Sequence, residues 1–364
     1  MRITAVTTRV FRIPLRQAVA SATLTLTHRE LILVTLEAEG KAIGTGWATT
    51  PGVGALAARA LIDNYLLPLL IGQDARHHER IWQRLWTHCH FAGSGGLTTL
   101  ALAPIDVALW DAKARAAGEP LHRLLGGSRS EVPVYASAIN IHLTQDELLE
   151  QVEGHLRQGY AAFKLKVGRA NAEEDLHRCR AVRALIGPDR ELLLDANQKW
   201  TPAEAVQRCR MLAETRPGFI EEPSLSDDVG GHALIRAQGG IPVALGERLG
   251  NRFEFWIYVR AEAVDILQPC PWKVGGITEW LRIAALGACA NRPVSPHGAL
   301  ELTAHLAAAL PNCTAVENIF GFGLEEIGAT TVPLPVRDGR MTLTDTPGHG
   351  VIFDGPALHE YEVR

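Results

Sequence analysis

The chain has 364 residues, of which 47% are hydrophobic and 21% charged, with a formal net charge of −4. That is a globular composition with enough residues for two domains, and a mildly acidic chain without a Lys/Arg run excludes nucleic acid or a membrane surface as a bulk-charge partner. No apolar stretch approaches membrane-spanning length, the opening MRITAVTTRVFRIPL alternates like a strand and lacks a signal peptide's apolar core, and six cysteines (89, 179, 209, 270, 289, 313) without paired spacing fit reduced thiols in a cytoplasmic protein.

The first 50 residues predict strands at ITAVTTRVFRI, ELILVTLEA and AIGTGWA, with a turn at Glu39–Gly40. Apolar residues at three-four spacing then predict helices in GALAARALIDNYLLPLLIG, HHERIWQRLW and LTTLALAPIDVALWDAKARAAG, the last ending at Gly118. Strands followed by helices make residues 1–130 an α+β unit. Short apolar strands then alternate with amphipathic helices: VPVYASAI, AFKLKV, ELLLDAN, GFIEEP, PVALGE, AVDILQP, RPVSPHG and TAVEN. Eight such starts predict right-handed βαβ units closing into a (β/α)8-type barrel over 131–320. The strand-and-turn tail, 321–364, is expected to pack back on the first unit.

In a barrel of this kind the C-terminal strand ends form the active face. Three carry acids, Asp195 in LLLDAN, Glu221 in FIEEP and Glu247 in ALGE, spaced 26 residues apart, one βα unit each. Clustered carboxylates repel unless a cation joins them, and an all-oxygen set suits a hard ion such as Mg²⁺, with positions left for water or substrate. Separately, each acid could simply cap a helix or face solvent. Lys164 and Lys166 in FKLKV are two apart and share one strand face, a placement expected to lower their pKa values toward a usable general base. His297, in VSPHG, ends the seventh strand across the barrel, and Glu317, in TAVEN, ends the eighth. AGSGG at 92–96 has no preceding strand and reads as a loop, and HCH at 88–90 lacks the partners of a zinc site.

Together KLK (164–166), DANQ (195–198), IEEP (220–223), GE (246–247), GGIT (275–278) and SPHG (295–298) resemble the enolase superfamily, in its mandelate racemase and muconate lactonizing enzyme group, over essentially the whole chain. The resemblance implies a modified TIM barrel with an N-terminal α+β capping domain, and one Mg²⁺ per subunit held by Asp195, Glu221 and Glu247. It implies Lys166 as the base that takes a proton alpha to a carboxylate, Lys164 as its helper and holder of that carboxylate, and His297 as acid or base on the opposite face. Glu317 would hydrogen-bond the developing enediolate and Asn197 would line the site. A small-molecule carboxylate substrate and a homo-oligomer are implied as well.

One position departs from that pattern. Where racemases and sugar-acid dehydratases of the group carry an acid partner for the histidine, this chain has Cys270, in LQPCPWKVGG. A neutral thiol cannot steady an imidazolium as a carboxylate does, so His297 is expected to be a weaker base with a lowered pKa. The leading expectation is a lyase that dehydrates a sugar acid or related hydroxy acid. The alternatives are a racemase, epimerase or lactone cycloisomerase, and a non-catalytic binding protein on the same fold. The polar stretch SATLTLTHRE is expected to form a lid, with Thr25 and His28 as candidate substrate contacts.

Overall fold

The computed structural model describes residues 1–20, 23, 25–138, 140–333 and 336–363. The N-terminal capping domain opens with an antiparallel sheet of β1 (Ala5–Ala20), β2 (Thr25–Ala38) and β3 (Lys41–Thr50), in the order β1-β2-β3. β2 and β3 meet at the predicted turn, where Glu39 and Gly40 both take positive φ, 52° and 75°. The long helix Leu97–Ala117 lies on this sheet and ends at a left-handed Gly118. Its approach requires glycine in β3: a Cβ on Gly44 would stand 2.3 Å from the Ala108 carbonyl, and one on Gly46 2.2 Å from that of Pro104. Burying this helix against the sheet is what makes the cap a layered unit.

β4 (Glu131–Ser137), β5 (Ala162–Lys166), β6 (Glu191–Asp195), β7 (Ile220–Glu221), β8 (Val243–Leu245) and β9 (Ile266–Leu267) then pair in parallel, each with the next. The seventh position is reduced to Val294, a single parallel bridge residue between Leu267 and Cys313. β10 (Val316–Ile319) returns beside β4, with Val316 opposite Val134, so the ring closes. All eight predicted strand starts fall in this ring, although the RPVSPHG run keeps only one bridged residue. Several helices between strands begin at side-chain caps, among them Thr144 with a full capping box, Asn171, Thr201 and Asn251.

The tail divides. A hairpin, β11 (Val336–Arg337) and β12 (Arg340–Thr342), pairs antiparallel with the start of β4. Farther on, Val363 N donates to Val10 O at 2.8 Å and Arg9 pairs with Glu362, tying the end of the chain to β1. No helix among the described residues is long and apolar enough to cross a membrane.

Candidate active site

The strand ends bring the charged residues together in a buried cluster. On β5, Lys164 and Lys166 share one face, 4% and 7% exposed. Lys164 Nζ lies 2.8 Å from Glu221 Oε2, 2.6 Å from Glu317 Oε1 and 3.3 Å from Asp195 Oδ2. Lys166 Nζ donates to Asp195 Oδ2. The Asp195 Oδ1 atom accepts from Asn197 N at 2.8 Å, and Asn197 Nδ2 reaches Oδ2 at 3.3 Å. Opposite, His297 Nε2 lies 2.7 Å from Glu247 Oε2 and 3.7 Å from Glu317 Oε2. Gly298 N donates to that same Glu317 oxygen at 3.3 Å.

Local backbone helps aim these groups. Asn197, Gln198 and Glu222 take left-handed φ of 45°, 62° and 38°, turning the chain sharply just past β6 and β7. Strained non-glycine residues of this kind persist only where the surroundings over-determine them, as they do around functional clusters.

The electrostatics correct two expectations. Burial pulls Lys164 down, but Glu221, Glu317 and Asp195 outweigh it and hold its pKa well above the ordinary lysine value. Lys164 is therefore a fixed cation, where a lowered pKa was expected. Burial likewise pulls His297 down, yet Glu247 and then Glu317 raise its pKa well above the usual histidine range. The expected lowering from Cys270 is overturned because carboxylates from two other strand ends do what the missing acid would have done. Cys270 is buried beside the ring as a weak acceptor, and His297 Nδ1 has no hydrogen bond of good geometry among the described residues.

The acids split in the same way. Burial opposes ionisation of Asp195, but Lys166 and Lys164 prevail and lower its pKa. Burial also opposes Glu247, and His297 prevails there. Glu221 goes the other way, pushed up to about 7 by burial and by the neighbouring Asp195 and Glu317 carboxylates against the pull of Lys164. A buried oxygen set with more negative charge than its own cations neutralise fits a hard divalent cation. Glu221, Glu247 and His297 offer ligand atoms within 4.8 Å of one another. Of the three acids expected to bind metal, Asp195 stands apart from that group, engaged by the two lysines.

Thr25 is exposed at the start of β2, opposite Ala20. His28 contacts Thr27 Oγ1 at 3.2 Å and packs on Gly52. Neither joins the cluster, and Ser21, Ala22 and Leu24 of the expected lid lie outside the described residues. Strand alternation sends Arg29, not His28, toward the barrel. Two further members escaped sequence reasoning. Gln268, immediately after β9, donates to Glu221 Oε2 at 2.7 Å, and the strand-end rule applied to LQP would have found it. Glu222, passed over beside Glu221, accepts from Gln198 at 2.8 Å. A larger cavity of about 690 Å³, lined by Arg16, His142, Phe320 and Tyr361 among others, contains none of the clustered acids and lysines.

Comparison with known proteins agrees with this architecture. Residues 3–126 match the family described as "Mandelate racemase / muconate lactonizing enzyme, N-terminal domain", and residues 147–357 match "Enolase C-terminal domain-like". The chain is 38% identical to a 3,6-anhydro-alpha-L-galactonate cycloisomerase of Streptomyces coelicolor over 96% of both chains. It is 33% identical to the L-talarate/galactarate dehydratase of Salmonella typhimurium, covering 89% of this chain and 81% of the other. A crystal structure of L-talarate dehydratase from Polaromonas sp. JS666, complexed with Mg and L-glucarate, superposes with a TM-score of 0.93 at 33% identity, over 100% of this chain and 98% of that one. With two domain matches, these relatives and a cap-and-barrel fold that carries its charged cluster on the strand ends, the chain belongs to the mandelate racemase / muconate lactonizing enzyme group of the enolase superfamily.

Proposed function

We propose that this protein is a Mg²⁺-dependent enzyme that removes the proton alpha to the carboxylate of a sugar acid and then eliminates a beta-hydroxyl. The observation that carries this reading is the buried cluster in which two lysines of one strand face a histidine of another across four carboxylates. Magnesium in a relative's crystal structure and the oxygen-rich donor set support Asp195, Glu221 and Glu247 as ligands. A cation held there would offset the negative charge that builds on the substrate carboxylate as the alpha proton leaves.

The chain's own residues supply the rest. Lys166 takes the alpha proton. Lys164, a permanent ammonium, holds the substrate carboxylate. Glu317 and Asn197 hydrogen-bond the substrate. His297, on the opposite face, gives a proton to the departing hydroxyl. Cys270 faces the substrate beside His297.

The 38% identity to a cycloisomerase supports a second outcome in the same site, in which the beta oxygen that leaves belongs to the substrate's own ring, so that the ring opens and no water is lost. Sugar acids incubated with Mg²⁺ in D₂O separate the two. Keto-acid formation is expected, abolished in both Lys166→Ala and His297→Asn, with alpha-proton exchange surviving only in His297→Asn. Keto acid from an anhydro or lactone substrate but not from the open-chain acid would establish the cycloisomerase instead, and exchange without keto acid a racemase or epimerase.

Three accompanying assignments belong to this reading. In the division 1–130 cap, 131–320 barrel, 321–364 return segment, the first boundary is supported by matches that end at 126 and begin at 147, and the return to the cap by the pairing of Val363 with Val10, while the barrel match itself runs on to 357. A cytoplasmic location is supported by free cysteines. A homo-oligomer is supported by exposed Phe91, Phe253, Trp256 and Ile257, of which Phe253 lies 6.3 Å from Trp86 between ring centroids.

A further inference from the structure

The cap sends one cation into the cavity that holds His297 and Glu317. Arg29, Thr49 and Trp272 line it as well. Arg29 Nη2 donates to Thr49 Oγ1 at 2.6 Å, while its Nε is buried with no hydrogen-bond partner among the described residues. The Trp272 Nε1 donor is buried and unpartnered too, in a side chain 8% exposed. The guanidinium lies over the Phe322 ring at 4.7 Å and near that of Trp272 at 6.0 Å, which fixes its plane.

Its charge is poorly compensated. Burial pulls Arg29 down to about 10, against weak upward pulls from Cys270 and Glu301. Glu301 spends one oxygen on Leu324 N at 2.6 Å, and burial raises its own pKa. No carboxylate among the described residues forms an ion pair with Arg29. A guanidinium Nε–H and an indole N–H, both buried and left without acceptors, are costly unless a ligand supplies them. A hydroxyl could satisfy one of these donors. A carboxylate satisfies both and also neutralises the charge, because its two oxygens match the planar fork.

We propose that Arg29 and Trp272 receive a second carboxylate at the far end of the substrate, so that the enzyme acts on sugar diacids (aldarates) in preference to the monoacids (aldonates) of the same configuration. This rests on the reading in which the strand-end cluster holds the first carboxylate. Arg29 and Trp272 touch the distal group only and set specificity.

Six-carbon aldarates, galactarate and D-glucarate among them, and the matching aldonates are compared by alpha-proton exchange in D₂O with Mg²⁺. The best aldarate is expected to exceed its aldonate about 100-fold in kcat/KM, the scale of a buried polar site deprived of its partner. Arg29→Met should lower the aldarate value by about the same factor, chiefly through KM, and bring the aldarate/aldonate ratio toward one. Trp272→Phe should lower the ratio about 10-fold, and Arg29→Lys should retain part of it. A ratio near one in the unaltered protein overturns the assignment. So does a ratio unchanged in Arg29→Met and Trp272→Phe while both rates fall together, the mark of a merely structural stack. If no acid exchanges its alpha proton, the catalytic reading falls. Calorimetric titration of the same panel then decides the assignment: selective aldarate binding lost in Arg29→Met supports it, and binding without that selectivity, or none, overturns it.

Discussion

The joint between cap and barrel and the cluster at the strand ends both bury polar side chains, but they settle them in opposite ways. In the joint, most groups are satisfied pairwise. Asp106 of the cap helix accepts from Thr278 N at 2.8 Å and Thr278 Oγ1 at 2.7 Å. His305 Nδ1 accepts from His122 N at 3.3 Å, its Nε2 meets the His349 carbonyl at 3.2 Å, and His349 Nε2 meets the Thr45 carbonyl at 2.9 Å. Burial drives these groups toward neutrality, raising Asp106 to about 7 and lowering His305 to about 3. At the strand ends the groups are gathered as charges. Lys164 touches three carboxylates at once, and Glu221 is left partly neutralised. The joint spends its polar groups on stability. The cluster holds charge that ligands must complete, an arrangement suited to preorganised stabilisation of a reacting carboxylate.

Substitutions in the two regions should therefore separate activity from stability. Removing a charge from the cluster should cost the most activity and the least stability. Glu221→Gln is expected to lower turnover at least about 100-fold. It should also abolish the rise in Tm on adding Mg²⁺, while the Tm measured in EDTA stays the same or increases. A clear fall in that metal-free Tm would show that the cluster is structural after all.

In the joint the balance reverses. Gly276 has φ 100°, and a Cβ there would stand 2.5 Å from Asp106 Oδ2. Gly276→Ala should lose about 2–3 kcal/mol in urea denaturation through backbone strain and a broken Asp106–Thr278 pair. The folded enzyme should still exchange alpha protons.

The buried histidines predict a smaller, pH-linked effect. His305 titrates below its unfolded value of about 6.5, so its contribution is fully present above that pH and is lost as pH falls from there toward about 3. Between pH 7 and pH 5 the loss should be on the order of 2 kcal/mol. His122 and His349, also lowered by burial, act in the same direction. Urea midpoints at the two pH values check this, and His305→Gln should flatten the difference. At the bottom of the scale, Glu153→Gln breaks an exposed pair with Arg157, 3.7 Å apart, and should change stability by less than about 0.5 kcal/mol.

Much of the architecture was readable in the chain. LLLDAN, FIEEP and ALGE announce themselves because a buried parallel strand is a short apolar run, and an acid at its end has few structural reasons to be there. The FKLKV alternation put two lysines on one face for the same local reason. RPVSPHG was less legible: its pairing depends on Leu267 and Cys313, far away in the chain, and a single bridged residue survives. Gln268 was hidden because a neutral amide carries no alarm until Glu221 is seen beside it. His28 and Arg29 looked equivalent in THRE, and only the docking of β2 over the barrel sends one to Gly52 and the other to Thr49 and Phe322.

Periodicity is local, so element order, the eight strand starts and the positions of Lys164, Lys166, Asp195, Glu221 and Glu247 along them could be read from neighbours in the chain. Charge states and partners are not local. The protonation of His297 depends on Glu247 and Glu317, 50 residues before it and 20 after. Coulomb interactions in a buried site depend on distance through space. Those distances exist only once the ring closes and the cap has docked, which is why Cys270 suggested a weak histidine while the folded chain holds a strongly basic one.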